Sequence, residues 1–111
     1  MQVLLLMYHD EKAIQNLPRE EHGRLHGAFM AYVEALKKAG ALAGNKGLQP
    51  TKAAKTVRKE TVLDGPFAET KEQLAGYFLL EVPDMEAALG WAKRLPTAAY
   101  GAVEVRPVWT A

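Results

Sequence analysis

Two short runs of apolar residues constrain the fold of this chain most strongly. Residues 3–8 read VLLLMY, and residues 76–82 read GYFLLEV. Each run has the length of a β-strand, and in each the apolar residues occupy both alternating sets of positions. A strand has this composition when both of its faces are buried. The two runs therefore predict two central strands of a sheet that must be covered on each side.

A helix is predicted after each of these strands. The first helix begins at Pro18, which suits a first helical position, and ends before Gly40, which suits a left-handed stop. Its apolar residues recur at steps of three and four and form one stripe: Leu25, Phe29, Tyr32, Val33, Leu36 and Ala39. The second helix is capped by Asp84 and stops at Pro96. Two amphipathic helices of this kind can cover one face of a sheet.

Shorter strands complete the pattern. Residues 41–49 predict a weaker strand, residues 56–58 and 61–63 a hairpin, and residues 101–108 a final strand with one wet face. With 111 residues, the chain has the size of a single domain, spanning 1–111. The order β-α-β-(ββ)-β-α-β predicts a ferredoxin-like α+β fold, with an antiparallel sheet and two helices on one face.

The second face of this sheet also needs a cover, because both central strands are apolar on both sides. A second copy of the same sheet is the simplest cover. The pattern therefore predicts a homodimer in which two sheets pack face to face.

Composition excludes several classes of partner and site. Fourteen Lys and Arg residues against thirteen Asp and Glu give a net charge of +1, which argues against nucleic acid as a partner. The first apolar run is far too short to span a membrane, so no membrane association is expected. The chain has no cysteine, which excludes disulfides and thiolate chemistry and favours a cytoplasmic location.

Residues 64–77, DGPFAETKEQLAGY, resemble the signature of the DGPF branch of the YCII-related family. Residues 47–50 (GLQP) and 101–108 (GAVEVRPV) resemble that branch as well. The resemblance implies a dimeric α+β barrel built from ferredoxin-like subunits. It also implies a pocket with a His and Asp pair in the wider family, and a link of the DGPF branch with alternative sigma factors. In those relatives the Asp commonly precedes a Pro after the second helix, where this chain has Leu95 before Pro96.

Histidines and carboxylates are the candidate site residues. His26 is the first candidate for acid/base chemistry. Its separation from Gly44 along the sequence resembles the separation between the relatives' histidine and their corresponding glycine. Asp64 is the candidate carboxylate, since two carboxylates in different environments, here Asp64 and Glu69, can divide acid and base roles. The further candidates for ligand contact are His22, Glu69 and Tyr77. In a purely structural interpretation, Asp64 bonds the backbone that follows it and Phe67 packs into the core.

His22 and His26 are four residues apart on the first helix, so they could share a metal ion with His9. No recognisable metal-binding motif accompanies them, so neither a metal nor a cofactor is expected.

These features predict a small cytoplasmic dimer that binds a small organic ligand near the first helix and the sheet, with His26 and Asp64 as the residues for its turnover. The alternative is a non-catalytic binding or regulatory module, which the replacement of the relatives' Asp by Leu95 favours. A dimer with a purely structural role is a third interpretation.

Overall fold

The computed structural model describes residues 1–110. It contains six strands: β1 (Gln2–His9), β2 (Leu42–Gly47), β3 (Lys55–Arg58), β4 (Thr61–Asp64), β5 (Gln73–Glu81) and β6 (Ala102–Pro107). Three α-helices accompany them: α1 (Glu11–Gln15), α2 (Arg19–Lys38) and α3 (Met85–Arg94). Strands β2, β5, β1 and β6 form, in that order, one antiparallel sheet, and β3 pairs with β4 in a separate hairpin. The predicted ferredoxin-like α+β fold is confirmed.

The two predicted helices begin and end close to the expected residues. Helix α2 follows Pro18, and Gly40 adopts the left-handed conformation, with φ at 67°, just after it ends. In α3, the carboxylate of Asp84 accepts a hydrogen bond from the Ala87 amide at 2.8 Å. Among residues 1–110, no helix is both long and apolar enough to cross a membrane.

Helix α1 was not predicted. Its cap is Asp10, whose Oδ1 accepts hydrogen bonds from the amides of Lys12 at 3.0 Å and Ala13 at 3.3 Å. Because the helix has only five residues, it is too short to show the apolar periodicity by which α2 and α3 are recognised.

The hydrophobic core lies between the sheet and helices α2 and α3. Its fully buried side chains come from alternate positions of the central strands and from both helix regions: Val3, Leu5, Phe78, Leu80, Leu36 and Leu95. Tyr32 closes the core by donating a hydrogen bond from its hydroxyl to the Trp91 carbonyl at 2.8 Å. Burial raises the pKa of Tyr32, so its hydroxyl stays protonated and keeps this bond.

The opposite face of the sheet carries a second apolar surface, here called the open face. Leu4 pairs with Leu79 and Leu6 pairs with Tyr77 across the two central strands. All four side chains are partly exposed, whereas their neighbours on the helix face are buried. The molecule is accordingly flat, with extents of 44 × 41 × 18 Å.

Strands β3 and β4, together with the turn that follows them, form a projecting hairpin, here called the arm. Val57 pairs with Val62, and each is 63% exposed. The expectation that Phe67 packs into the core is wrong, because its side chain is 73% exposed. The Arg58 guanidinium lies 4.8 Å from the centre of the Phe67 ring and holds it on the arm. The turn sequence therefore carries its aromatic residue outward with the hairpin.

Candidate functional site

A cavity of about 520 Å³ lies between helix α2 and the sheet and is here called the central cavity. Its walls are mainly apolar and include Met7, Leu25, Phe29, Val33 and Phe78. Six polar residues also line it: His9, His26, Asn45, Lys46, Thr97 and Tyr100. Small-molecule sites are commonly concave, mostly apolar and lined by a few polar groups of this kind.

His9 reaches the central cavity through the alternation of strand β1. Val3, Leu5 and Met7 are buried on the helix face, so the next residue on that face is His9. Its ring lies 6.3 Å from that of Tyr100, with an angle of 31° between the ring planes. The end of β1 and the turn before β6 therefore place an imidazole and a phenol side by side.

Burial lowers the pKa of His9 below its ordinary value of 6.5. The carboxylates of Glu11, Asp10 and Glu72 act in the opposite direction and offset part of this effect. His9 is therefore a neutral imidazole at pH 7, able to accept a proton.

The lowered pKa of His9 predicts a pH dependence of stability. The unfolded chain binds the His9 proton more tightly than the folded chain does, so the free energy of unfolding falls as pH falls below 6.5 towards the lowered pKa. His9→Gln should remove this loss, whereas His22→Gln, at an exposed position, should retain it. Urea denaturation at several pH values between about 5 and 8 measures the difference. Parallel curves for the wild type and His9→Gln would contradict the assignment.

Tyr100 and Thr97 supply two hydroxyl groups among the lining residues of the cavity. Thr97 is 1% exposed and lies in the 3₁₀ turn Pro96–Ala99 that precedes Tyr100. Burial raises the pKa of Tyr100, and a hydrogen bond with the Thr97 side chain offsets part of that rise. Tyr100 is therefore a neutral phenol that can donate a hydrogen bond to a ligand oxygen.

The structure brings one predicted site residue of α2 to the cavity and leaves the other outside. His26 lines the central cavity, while His22, one turn earlier, is exposed and is not among its lining residues. The sequence pattern indicated His9 only as a metal ligand and gave no indication of Asn45, Lys46, Thr97 or Tyr100. The alternation of β1 from Val3 to Met7 was the signal that could have identified His9.

The remaining predicted residues lie elsewhere. Asp64 is on the arm, where its carboxylate pairs with the Lys55 ammonium and is 86% exposed. This pairing replaces the expected bond from Asp64 to the following backbone, and Asp64 does not line the central cavity with His26. Tyr77 is on the open face, opposite Leu6. Glu69 lines a separate polar cleft of about 420 Å³.

The polar cleft is bounded by the loop of residues 66–71 and the start of α1. The Glu11 carboxylate accepts hydrogen bonds from the amide and the hydroxyl of Thr51, both at 2.8 Å. The Gln73 side chain accepts a hydrogen bond from the Glu11 amide at 3.0 Å and donates one to the Thr70 carbonyl at 2.6 Å. These contacts tie the loop to the end of β1, which gives Glu11 and Gln73 a structural role.

Candidate metal ligands are not grouped in the structure. Within residues 1–110, no three or more His, Asp or Glu side chains are arranged to hold a metal ion. The lining of the central cavity instead combines His9, His26, Tyr100, Thr97, Asn45 and Lys46, residue types whose side chains can bind an organic ligand or exchange protons with one.

Comparison with known proteins identifies the family. The family described as "YCII-related domain" matches residues 1–111. An uncharacterized protein of Rhizobium meliloti (strain 1021) is 38% identical over 110 residues, covering 94% of this chain and 89% of that protein. The fold is similar to that of 5-chloro-2-hydroxyhydroquinone dehydrochlorinase (TftG) from Burkholderia phenoliruptrix AC1100, solved in complex with 2,5-dihydroxybenzoquinone. That likeness has a TM-score of 0.60 at 13% identity and covers 100% of this chain and 96% of the other. The chain belongs to the family of YCII-related domains.

Proposed function

We propose that the central cavity binds a small ring compound with acidic hydroxyl groups and that His26 and His9 exchange protons with it. The observation that carries this proposal is the set of polar side chains, two of them imidazoles, that line a mainly apolar cavity of about 520 Å³. A cavity of this size accommodates a small organic molecule and leaves its polar groups facing a few defined partners.

The chemistry follows from the protonation states. A neutral imidazole accepts the proton of a phenolic or enolic hydroxyl, which leaves an oxyanion on the ligand and an imidazolium on the protein. The Tyr100 hydroxyl donates a hydrogen bond to such an oxyanion, and the apolar walls strengthen that bond by excluding water. His26 is exposed at its own position on α2, so it can exchange the accepted proton with solvent.

The ligand of the structural neighbour supports the chemical class. TftG was solved with 2,5-dihydroxybenzoquinone, a compact ring with two acidic hydroxyls. Its hydroxyls are vinylogous carboxylic acids that are ionised at pH 7, so it is a suitable first probe for binding of the oxyanion in the central cavity.

We expect His26→Ala to weaken binding of 2,5-dihydroxybenzoquinone by about tenfold or more, because a hydrogen bond to a charged group contributes about 1.5–3 kcal/mol. Isothermal titration calorimetry at pH 7 measures the affinity. His22→Ala and Asp64→Asn are matched controls, since neither residue lines the cavity, and both should retain the wild-type affinity. Equal losses in His26→Ala and His22→Ala would contradict the proposal.

The alternative function is binding without turnover, as in a regulatory module. It uses the same cavity and the same affinity test, and it differs in the fate of the ligand. If the proton exchange is part of a turnover that alters another bond of the ligand, the compound recovered after incubation differs from the one added, whereas a regulatory module releases the ligand unchanged. Chromatography of the released compound distinguishes the two.

We also propose that the chain forms a homodimer through the open face, which fits the cytoplasmic dimer expected from the sequence. Leu4, Leu6 and Leu79 leave an apolar surface on that face, and large exposed apolar patches commonly mark interfaces. The arm supports the same assembly, because an isolated two-stranded hairpin is only marginally stable, and Val57 and Val62 are both largely exposed. A second copy can cover both surfaces at once.

A further inference from the structure

A second cavity lies beside the central one, between α1, α2 and the turn that ends in Ala99. It has a volume of about 640 Å³ and is here called the side groove. Its lining is largely aliphatic and includes Ala13, Ile14, Leu17, Ala28 and Pro96. The proton-exchange chemistry proposed above makes no use of this space.

The two cavities share walls. Leu25 and Tyr100 line both the central cavity and the side groove. A ring bound beside Tyr100 in the central cavity therefore lies next to the side groove. A substituent on that ring would have to extend past these two side chains to reach the groove.

The charged residues that line the groove are engaged within the protein. Arg24 pairs with Glu21 at 2.9 Å, and the Arg94 guanidinium lies 4.4 Å from the centre of the Trp91 ring. Asp10 accepts hydrogen bonds from two amides of α1. These partners leave the aliphatic side chains as the surface available to a ligand, which favours an apolar occupant over an ionic one.

We propose that the side groove binds an apolar substituent of the ligand, so that the preferred compounds are hydroxylated rings carrying an alkyl chain. This inference rests on the proposed function of the central cavity and narrows its ligand class. Burying one methylene contributes enough free energy to tighten binding by about fourfold. Affinity should therefore rise along a series of alkylated rings until the groove is filled.

The test uses 2,5-dihydroxybenzoquinone and its 3-alkyl derivatives with chains of increasing length, titrated by calorimetry. The groove is filled by Ala28→Phe, and the matched control is Ala31→Phe, at an exposed position of the same helix that lies outside both cavities. We expect the affinity to rise with the length of the alkyl chain in the wild type and in Ala31→Phe. In Ala28→Phe the affinity should not change with the length of the alkyl chain. The unsubstituted ring should bind all three proteins equally.

The outcomes separate this inference from the function on which it rests. If the unsubstituted ring binds and longer alkyl chains do not raise the affinity, the groove is not a ligand site. The proposed ligand binding in the central cavity is then unaffected. If the affinity of Ala28→Phe also rises with the length of the alkyl chain, the inference is overturned, because the alkyl chain then binds outside the side groove. If no member of the series binds the wild-type protein, both proposals fail.

Discussion

Gly101→Ala should lower the free energy of unfolding by about 3 kcal/mol, within the range of mutations that force atoms into a packed backbone. A Cβ at Gly101 would lie 2.1 Å from the Tyr8 carbonyl oxygen and 3.3 Å from the His9 Cα. Both contacts are with the backbone of β1, which cannot rotate away as a side chain can. The end of β1 must shift, and His9 shifts with it.

Urea denaturation measures the loss, and Gly23→Ala is the matched control. Gly23 lies in α2, and an added Cβ there has no atom within 4 Å. Alanine is favoured over glycine in a helix by roughly 1 kcal/mol, so this control should be as stable as the wild type or more so. A Gly101→Ala protein of wild-type stability would show that Gly101 does not approach the end of β1 as closely as described.

Leu79→Lys should convert the proposed homodimer to a monomer at micromolar concentration. Leu79 lies on the open face, opposite Leu4, and a twofold interface would bury the introduced ammonium on both subunits at once. An unpaired buried charge costs several kcal/mol, which is enough to raise the dissociation constant by orders of magnitude. The substitution should leave the subunit folded, because the helix-side core is untouched.

Light scattering and circular dichroism together test this prediction. Leu89→Lys, at a position on α3 that is 44% exposed, is the control and should remain dimeric. A wild-type protein that is monomeric at these concentrations, or a Leu79→Lys protein that stays dimeric, would contradict the proposed interface.

The elements predicted best were those with a long apolar pattern. The stripe of α2 and the continuous apolar runs of β1 and β5 predicted the main sheet and its helical cover, because burial of these residues dominates the local choice of structure. Helix α1 was missed because its stability comes from the Asp10 cap and not from a periodic face. Membership of the DGPF branch stays a prediction based on residues 64–77.

The site was predicted only in part. His26 was selected through a resemblance, and it lines the central cavity. Asp64 was selected for its carboxylate, but the hairpin carries it outward to Lys55. Phe67 was misplaced for the same reason: the sequence of a turn specifies its local bend, whereas the direction in which a hairpin projects depends on tertiary packing. The sequence did not indicate Tyr100 and Thr97 as site residues, because His9, which lies beside them in the structure, is far from them in the sequence.

The most direct test of the central cavity is nuclear magnetic resonance of the three histidine side chains during titration with 2,5-dihydroxybenzoquinone. His9 and His26 line the cavity, and His22 lies outside it, so the protein carries its own control. Binding as proposed shifts the imidazole resonances of His9 and His26 together, with one dissociation constant, and leaves those of His22 in place. Shifts confined to His22, or the absence of any shift at saturating ligand, would contradict a ligand site between α2 and the sheet.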